Sequence, residues 1–171
     1  RWINDELKAV CNEGYGMTEV NHMIGNSQRL RPVKPGSMGW GFPGHRVAIV
    51  DEDGNELGDG EVGEIVTGGD DPTLFLGYWG QPELTESLRL GSWIRTRDIG
   101  VRDEDGYFWY HGRGDDLIKS AGYRIGPAEV EGSLIKHPGV ADAGVIGVPD
   151  PDRGAAVKAY VLLADSWQPG D

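Results

Sequence analysis

Residues 112–131, GRGDDLIKSAGYRIGPAEVE, hold the side chains best suited to handling phosphate. Arg113 stands beside Asp115 and Asp116, and Arg124 follows a Ser120-Ala121-Gly122 turn. A guanidinium presents a planar fork that matches phosphate oxygens two at a time. Arginines placed at a glycine-rich pivot therefore fit a site that grips phosphates. The same pattern also fits a plain β-hairpin with solvated charges, because turns collect polar residues. A second cluster lies upstream at Tyr15-Gly16-Met17-Thr18-Glu19, with Glu13 and Gly14 just before it. Two glycines around one aromatic predict a tight, exposed turn, or a helix entry capped by Thr18. A third lies at residues 93–100, WIRTRDIG, where Asp98 could pair with Arg95 or Arg97.

Short strands must position these groups. Ile3, Leu7 and Val10 are spaced four and three apart and predict a short helix from Trp2 to Val10, capped by Asn4 or Asp5. Residues 29–44 read as a proline- and glycine-rich loop. Its GWGFPG run matches GxGxxG in letters only, since Pro43 interrupts it and a strand follows where a dinucleotide fold needs a helix. Strands are expected at 47–51, 62–67 and 74–78, then a helix at 81–88 with Pro82 in its first turn. Strands at 99–102 and 107–111 flank the Asp105-Gly106 turn signal. Strands at this density predict a small barrel or sandwich. Residues 116–119 and 123–125 read as a hairpin around Ala121-Gly122. Pro127 to His137 reads as a helix burying Val130 and Leu134. Val140 to Val148 reads as a buried strand. Val157, Ala159, Val161 and Leu163 alternate as in a strand with one buried face. His111 reads as structural, His137 as a charge at the helix end, and His22 as pocket lining or surface.

The 171 residues carry a formal charge of −12, which argues against binding nucleic acid or anionic lipid non-specifically. No apolar run approaches the roughly 20 residues of a spanning helix. The 28 glycines and 10 prolines point to turns and short strands. Cys11, the lone cysteine, excludes an internal disulfide framework; it fits a reducing compartment, taken as the cytoplasm, and reads as a buried or semi-buried filler. The chain opens Arg-Trp-Ile without an initiator Met and ends on a turn-like stretch at 168–171. Both ends are expected to be cuts from something longer.

Three signatures in one order, at 15–19, 93–100 and 112–131, give the chain a family resemblance. It resembles the AMP-forming acyl-CoA synthetases of the adenylate-forming superfamily. The run 120–127, SAGYRIGP, looks most like their acetyl to medium-chain branch. The resemblance implies an α+β fold. A β-rich, barrel-like subdomain (about 30–112) would end a large adenylation domain over 1–114. A hinge and part of a small α/β mobile domain would follow over 115–171.

It also implies roles for individual residues. Residues Glu13, Gly14, Tyr15, Gly16 and Met17 would line the nucleotide, with Tyr15 against the adenine. Thr18 would bond the α-phosphate, and Glu19 would hold Mg²⁺, a hard cation that takes carboxylate and phosphate oxygens. Asp98 would accept from both ribose hydroxyls of AMP, one carboxylate oxygen for each. Arg113 would meet the ribose and phosphates, Asp115 would be the hinge, and Arg124 would meet ATP phosphates. Ala121, Gly122 and Tyr123 would line the pantetheine tunnel, and Arg153 would contact the nucleotide end of CoA.

Two positions depart from the family pattern. Met17 stands where Gln is common, and Arg97 stands where Gly usually precedes the aspartate. If that turn needs a positive φ, Arg costs about 1 kcal/mol or more. The family's phosphate loop and terminal catalytic lysine have no counterpart in this chain, which alone is therefore expected not to adenylate. The implied parent reaction joins a small carboxylic acid to CoA at the expense of ATP. Rival readings are a relative that uses a carrier-protein thiol, and a non-catalytic module that binds a nucleotide or partner.

Overall fold

The structure is a computed structural model that describes residues 2–165, 167 and 168. From residue 169 on, the turn expected at the end of the chain lies outside the described residues. The chain divides into two compact units, Arg1–Tyr110 and His111–Asp171.

The first unit opens with α1 (Trp2–Leu7). This helix is shorter than the apolar spacing predicts. Lys8 takes a left-handed φ of 52°, and its ammonium donates to the Asp5 carbonyl at 2.7 Å. Ile3, Leu7 and Val10 are all exposed, so the expected apolar stripe covers nothing. Cys11, expected to be at least half-buried, is exposed in the loop that follows.

Strands β1 (Glu13–Met17), β2 (Asn21–Asn26) and β3 (Trp40–Gly41) form an antiparallel sheet in that order. Tyr15 therefore lies within a strand, and the turn falls at residues 18–20. Gly16 serves the close approach of two strands rather than a reversal of the chain. A Cβ built there would meet the Asn21 carbonyl oxygen at 1.9 Å.

The second sheet is built from β4 (Val47–Val50), β5 (Val62–Gly68), β6 (Arg89–Leu90), β7 (Trp93–Arg102) and β8 (Phe108–Arg113), with α2 (Pro82–Glu86) inserted between β5 and β6. Its order is β4-β5-β7-β6, with β8 also pairing β7. Among the described residues the sheets are open, and the expected barrel-like subdomain does not close. Closure is unnecessary because apolar residues cover both faces of the sheet. Ile49 pairs with Ile65 in register, and both pack with Val20, Met23, Ile24, Met38 and Phe108. The neighbouring pair, Ala48 and Val66, joins Val50 and Trp93 in a second cluster. Successive strand residues alternate faces, so a run buried throughout is a strand covered on both sides.

Residues 74–78, expected as a strand, form a loop instead. The Asp71 carboxylate accepts from the Thr73 main-chain N–H at 2.9 Å and from its hydroxyl at 2.7 Å, which closes a tight Asx turn. Among the described residues, no helix is long and apolar enough to cross a membrane.

The second unit contains the end of β8, the hairpin β9 (Ile118–Ser120) and β10 (Tyr123–Ile125), α3 (Pro127–Leu134), and the ribbon β11 (Val140–Asp150) with β12 (Gly154–Leu163). The hairpin reverses at Ala121 and Gly122, both at positive φ (48° and 85°), as a two-residue turn between twisted strands requires. Helix α3 stops at Leu134, short of His137, and Val130 and Leu134 are only half-buried. In β11 only Val145 is buried, and Val157, Tyr160 and Val161 of β12 are exposed. The expected buried strands are thus largely uncovered. A two-stranded ribbon has few neighbours to cover it. His111 lies 3.3 Å from the Glu129 carboxylate, which fits the structural reading. His137, expected as a charge at the helix end, lies beyond α3 and accepts from the Gly139 N–H at 3.1 Å instead.

Candidate functional site

The site in the first unit rests on an irregularity in β7. Between Glu64 and Val66 of β5 the pairing jumps from Ile99 to Arg95, so Ile65 alone faces Thr96, Arg97 and Asp98. Extra residues on one strand bend it and re-aim the side chains they carry. Arg97 absorbs the bend at a φ of 64°. The condition set by the sequence is therefore met: this turn does require positive φ, and a non-glycine residue occupies it. Thr96 pins the bulge from inside, accepting the Asp98 N–H at 3.0 Å and donating to the Ile65 carbonyl at 2.7 Å.

The bulge brings Asp98 to Tyr15, whose hydroxyl donates to one carboxylate oxygen at 2.6 Å. These residues are 83 apart in sequence and come from two different sheets. Burial of the phenol, together with its bond to Asp98, pushes the Tyr15 pKa far above the ordinary range, so Tyr15 acts as a neutral donor. Arg95 and Arg97 are turned to other partners. Arg95 pairs with Glu64 at 2.7 Å, and Arg97 donates to the Ser87 hydroxyl at 3.3 Å. Tyr15 and Met17 pack against the core beneath, which holds β1 in place, and Met17 fills apolar space where an amide would need partners.

Thr18 and Glu19 form the turn after β1, with Thr18 exposed and Glu19 half-buried. The Tyr78 hydroxyl donates to the Glu19 carboxylate, and that bond raises the Tyr78 pKa. The 71–78 loop is fastened to the same turn. Phe75 N–H donates to the Glu19 carbonyl at 2.8 Å, and the Thr73 hydroxyl donates to the Val20 carbonyl at 2.6 Å. His45 Nδ1 lies 2.6 Å from the buried Asp71 carboxylate and ties the loop down from its other side. Tyr78 was missed in the sequence because the strand reading of 74–78 hid it. The Asp70-Asp71-Pro72 turn signal could have exposed that error. Glu64 was also missed. A glutamate amid the apolar residues of a strand pattern needs a partner if buried, and that was the available signal. Upstream, the Glu13 carboxylate accepts from Asn26 at 3.3 Å, and Gly14 lies against the His22 ring.

In the second unit, Arg113 bonds Asp115 at 3.2 Å in an exposed turn, where an ion pair contributes little. Arg124 and Tyr123 are exposed on β10. Ala121 N–H donates to the Arg153 carbonyl at 2.9 Å, so the hairpin tip and the turn before β12 are joined.

Known proteins provide the context for this geometry. A sequence model of the AMP-binding enzyme matches residues 1–79, and one of the AMP-binding enzyme C-terminal domain matches residues 129–170. This chain belongs to the AMP-binding enzymes. As a member of that family it is 40% identical over 172 residues to the acetyl-coenzyme A synthetase of Bacillus subtilis, covering 100% of this chain and 30% of the relative. It is 49% identical over 156 residues to a mitochondrial acyl-coenzyme A synthetase of Homo sapiens, covering 89% and 27%. Among solved structures it resembles ATP-bound MatB from Rhodopseudomonas palustris, with a TM-score of 0.85, 37% identity, and coverage of 98% of this chain and 33% of that one. It also resembles the o-succinylbenzoate CoA synthetase of Bacillus subtilis in complex with its acyl-adenylate intermediate, with a TM-score of 0.81, 33% identity, and coverage of 93% and 32%. The chain thus spans about a third or less of the length of these relatives.

Proposed function

We propose that this chain is part of an ATP-dependent carboxylic acid:CoA ligase, and that its first unit grips the nucleotide. Residues 1–114 would end a large adenylation domain, and 115–171 would hold the hinge and part of a mobile domain. In the parent reaction a carboxylate attacks the ATP α-phosphorus and pyrophosphate leaves. The CoA thiol then attacks the acyl carbon and AMP leaves. The protein would work in a reducing compartment, the cytoplasm.

The observation that carries this reading is the hydrogen-bonded pair of Tyr15 and Asp98 at the bulge, in a chain that belongs to the AMP-binding enzymes. A half-buried carboxylate steadied by a neutral phenol is a fitting acceptor for sugar hydroxyls. Thr18 and Glu19 occupy the adjoining turn, suited to the α-phosphate and a cation. Mg²⁺ takes one or two protein carboxylates plus phosphate oxygens, and the Glu19 carboxylate, oriented by Tyr78, offers such a ligand. Bound there, the ion would neutralise phosphate charge. Ala121, Gly122, Tyr123 and Arg153 would receive CoA, supported by the bond that joins the hairpin tip to the Arg153 turn. Arg113 and Arg124 would meet ribose and phosphate, and Asp115 would be the pivot.

Calorimetry on this chain tests the reading. AMP should bind, and Asp98→Ala should weaken it roughly tenfold or more, the loss expected for a hydrogen bond to a charged group. CoA should bind, and Arg153→Ala should weaken it. Unchanged AMP affinity in Asp98→Ala would refute the nucleotide assignment.

A further inference from the structure

Glu64 accepts a convergence of hydrogen bonds that no ordinary strand position needs. Its carboxylate takes Arg95 Nε at 3.0 Å, Arg95 Nη2 at 2.7 Å and the Arg97 main-chain N–H at 2.9 Å. Its side chain is 10% exposed. The Arg97 N–H belongs to the left-handed residue at the centre of the bulge, and Asp98 is the next residue along. The bulge withdraws Arg97 from the regular ladder, so its N–H needs another acceptor.

We propose that Glu64 is a positioning residue for the ribose-binding carboxylate. It holds the strained Arg97 amide and so aims Asp98 at the sugar. Arg95 in turn fixes the Glu64 carboxylate with a two-pronged grip, so the chain of support runs Arg95, Glu64, Arg97 N–H, Asp98. Thr96 supports the same bulge from the core side. This inference rests on the nucleotide reading of Asp98, and it assigns to β5 a part in discriminating the sugar.

Two conservative variants separate reach from charge. Glu64→Gln keeps an acceptor long enough for the Arg97 N–H but drops the charge. Glu64→Asp keeps the charge for Arg95 but is one methylene too short to serve both partners. The readout is the ratio of affinities for AMP and 2′-deoxy-AMP, measured by calorimetry on this chain. Wild type should prefer AMP roughly tenfold, since one bond to a charged acceptor is lost without the 2′-hydroxyl. Glu64→Gln should keep that preference within about threefold, and Glu64→Asp should lose most of it.

Amide exchange at Arg97 and Asp98, read without any nucleotide, should be slow in wild type and Glu64→Gln and faster in Glu64→Asp. If both variants keep the preference and the protection, Glu64 does not position Asp98 and the inference fails alone. If Glu64→Asp keeps the preference while Glu64→Gln loses it, charge matters rather than reach, and the inference fails again. If wild type shows no preference for AMP, the nucleotide reading itself falls.

Discussion

Arg97 invites the sharpest perturbation, because its side chain and its backbone are asked for different things. At a φ of 64° an L-residue sits about 1–2 kcal/mol above its ordinary conformations. Arg97→Ala removes the exposed side-chain bond to Ser87, at 3.3 Å worth a few tenths of a kcal/mol, and leaves the backbone penalty intact. Arg97→Gly removes the same bond and the penalty together. Glycine's freedom in the unfolded chain takes back roughly 0.5–1 kcal/mol. Both variants keep the N–H that bonds Glu64, so that term cancels between them. Arg97→Gly should therefore be more stable than Arg97→Ala by about 1 kcal/mol. In thermal unfolding followed by circular dichroism, that is roughly 4 °C on the transition of the first unit. Equal melting temperatures, or Arg97→Ala the more stable, would show that the bulge imposes no left-handed residue there. The reasoning about β7 would then be wrong.

Three further perturbations test the supports around the site. Gly16→Ala should destabilise the first unit by more than about 2 kcal/mol in urea unfolding, because its Cβ would meet the rigid Asn21 carbonyl at 1.9 Å; a change within 0.5 kcal/mol, roughly the noise of surface substitutions, would refute this. Ala121→Gly should stabilise the second unit by up to about 1 kcal/mol by relieving the positive φ at the hairpin tip, read as slower amide exchange in β9 and β10. At the β7–β8 turn, burial pushes the Asp103 carboxyl up, but bonds from Lys34, Trp109 and the Tyr107 N–H outweigh it and bring its pKa to about 2. A carboxyl depressed on folding stabilises above its unfolded value of 3.8, and that stability is lost as pH falls through about 2. Wild type should therefore exceed Asp103→Asn in stability at pH 6, with the gap closing between about pH 4 and 2; a gap independent of pH would contradict the assignment.

Much of the scaffold was legible because alternation and turn chemistry are local. The strands at 47–50 and 62–68 follow from their apolar runs, and the reversals at 121–122 and 105–106 follow from Gly122 and Gly106, which tolerate positive φ. The spacing of Ile3, Leu7 and Val10 described a helix, but spacing is silent on whether anything covers it. The same holds for β12, whose alternation is real while its faces lie open. Tyr15 was misplaced because glycine serves both turns and close approach, and only the partner strand tells them apart. The site itself is non-local. Tyr15 to Asp98, Glu19 to Tyr78 and Glu64 to Arg97 are bonds between strands and loops far apart in sequence, and no local pattern encodes them. The resemblance drew attention to Asp98 and Arg97, but Glu64 and Tyr78 emerged only from the geometry.

The central claim is that AMP lodges against Tyr15 and the bulge of β7. Titrating AMP into the ¹⁵N-labelled chain tests it most directly. The account predicts saturable shifts at the amides of Gly16, Thr18, Arg97 and Asp98, and in Asp98→Ala saturation should need roughly tenfold more AMP or beyond. Saturable shifts confined to other parts of the chain, or none at all, would contradict it.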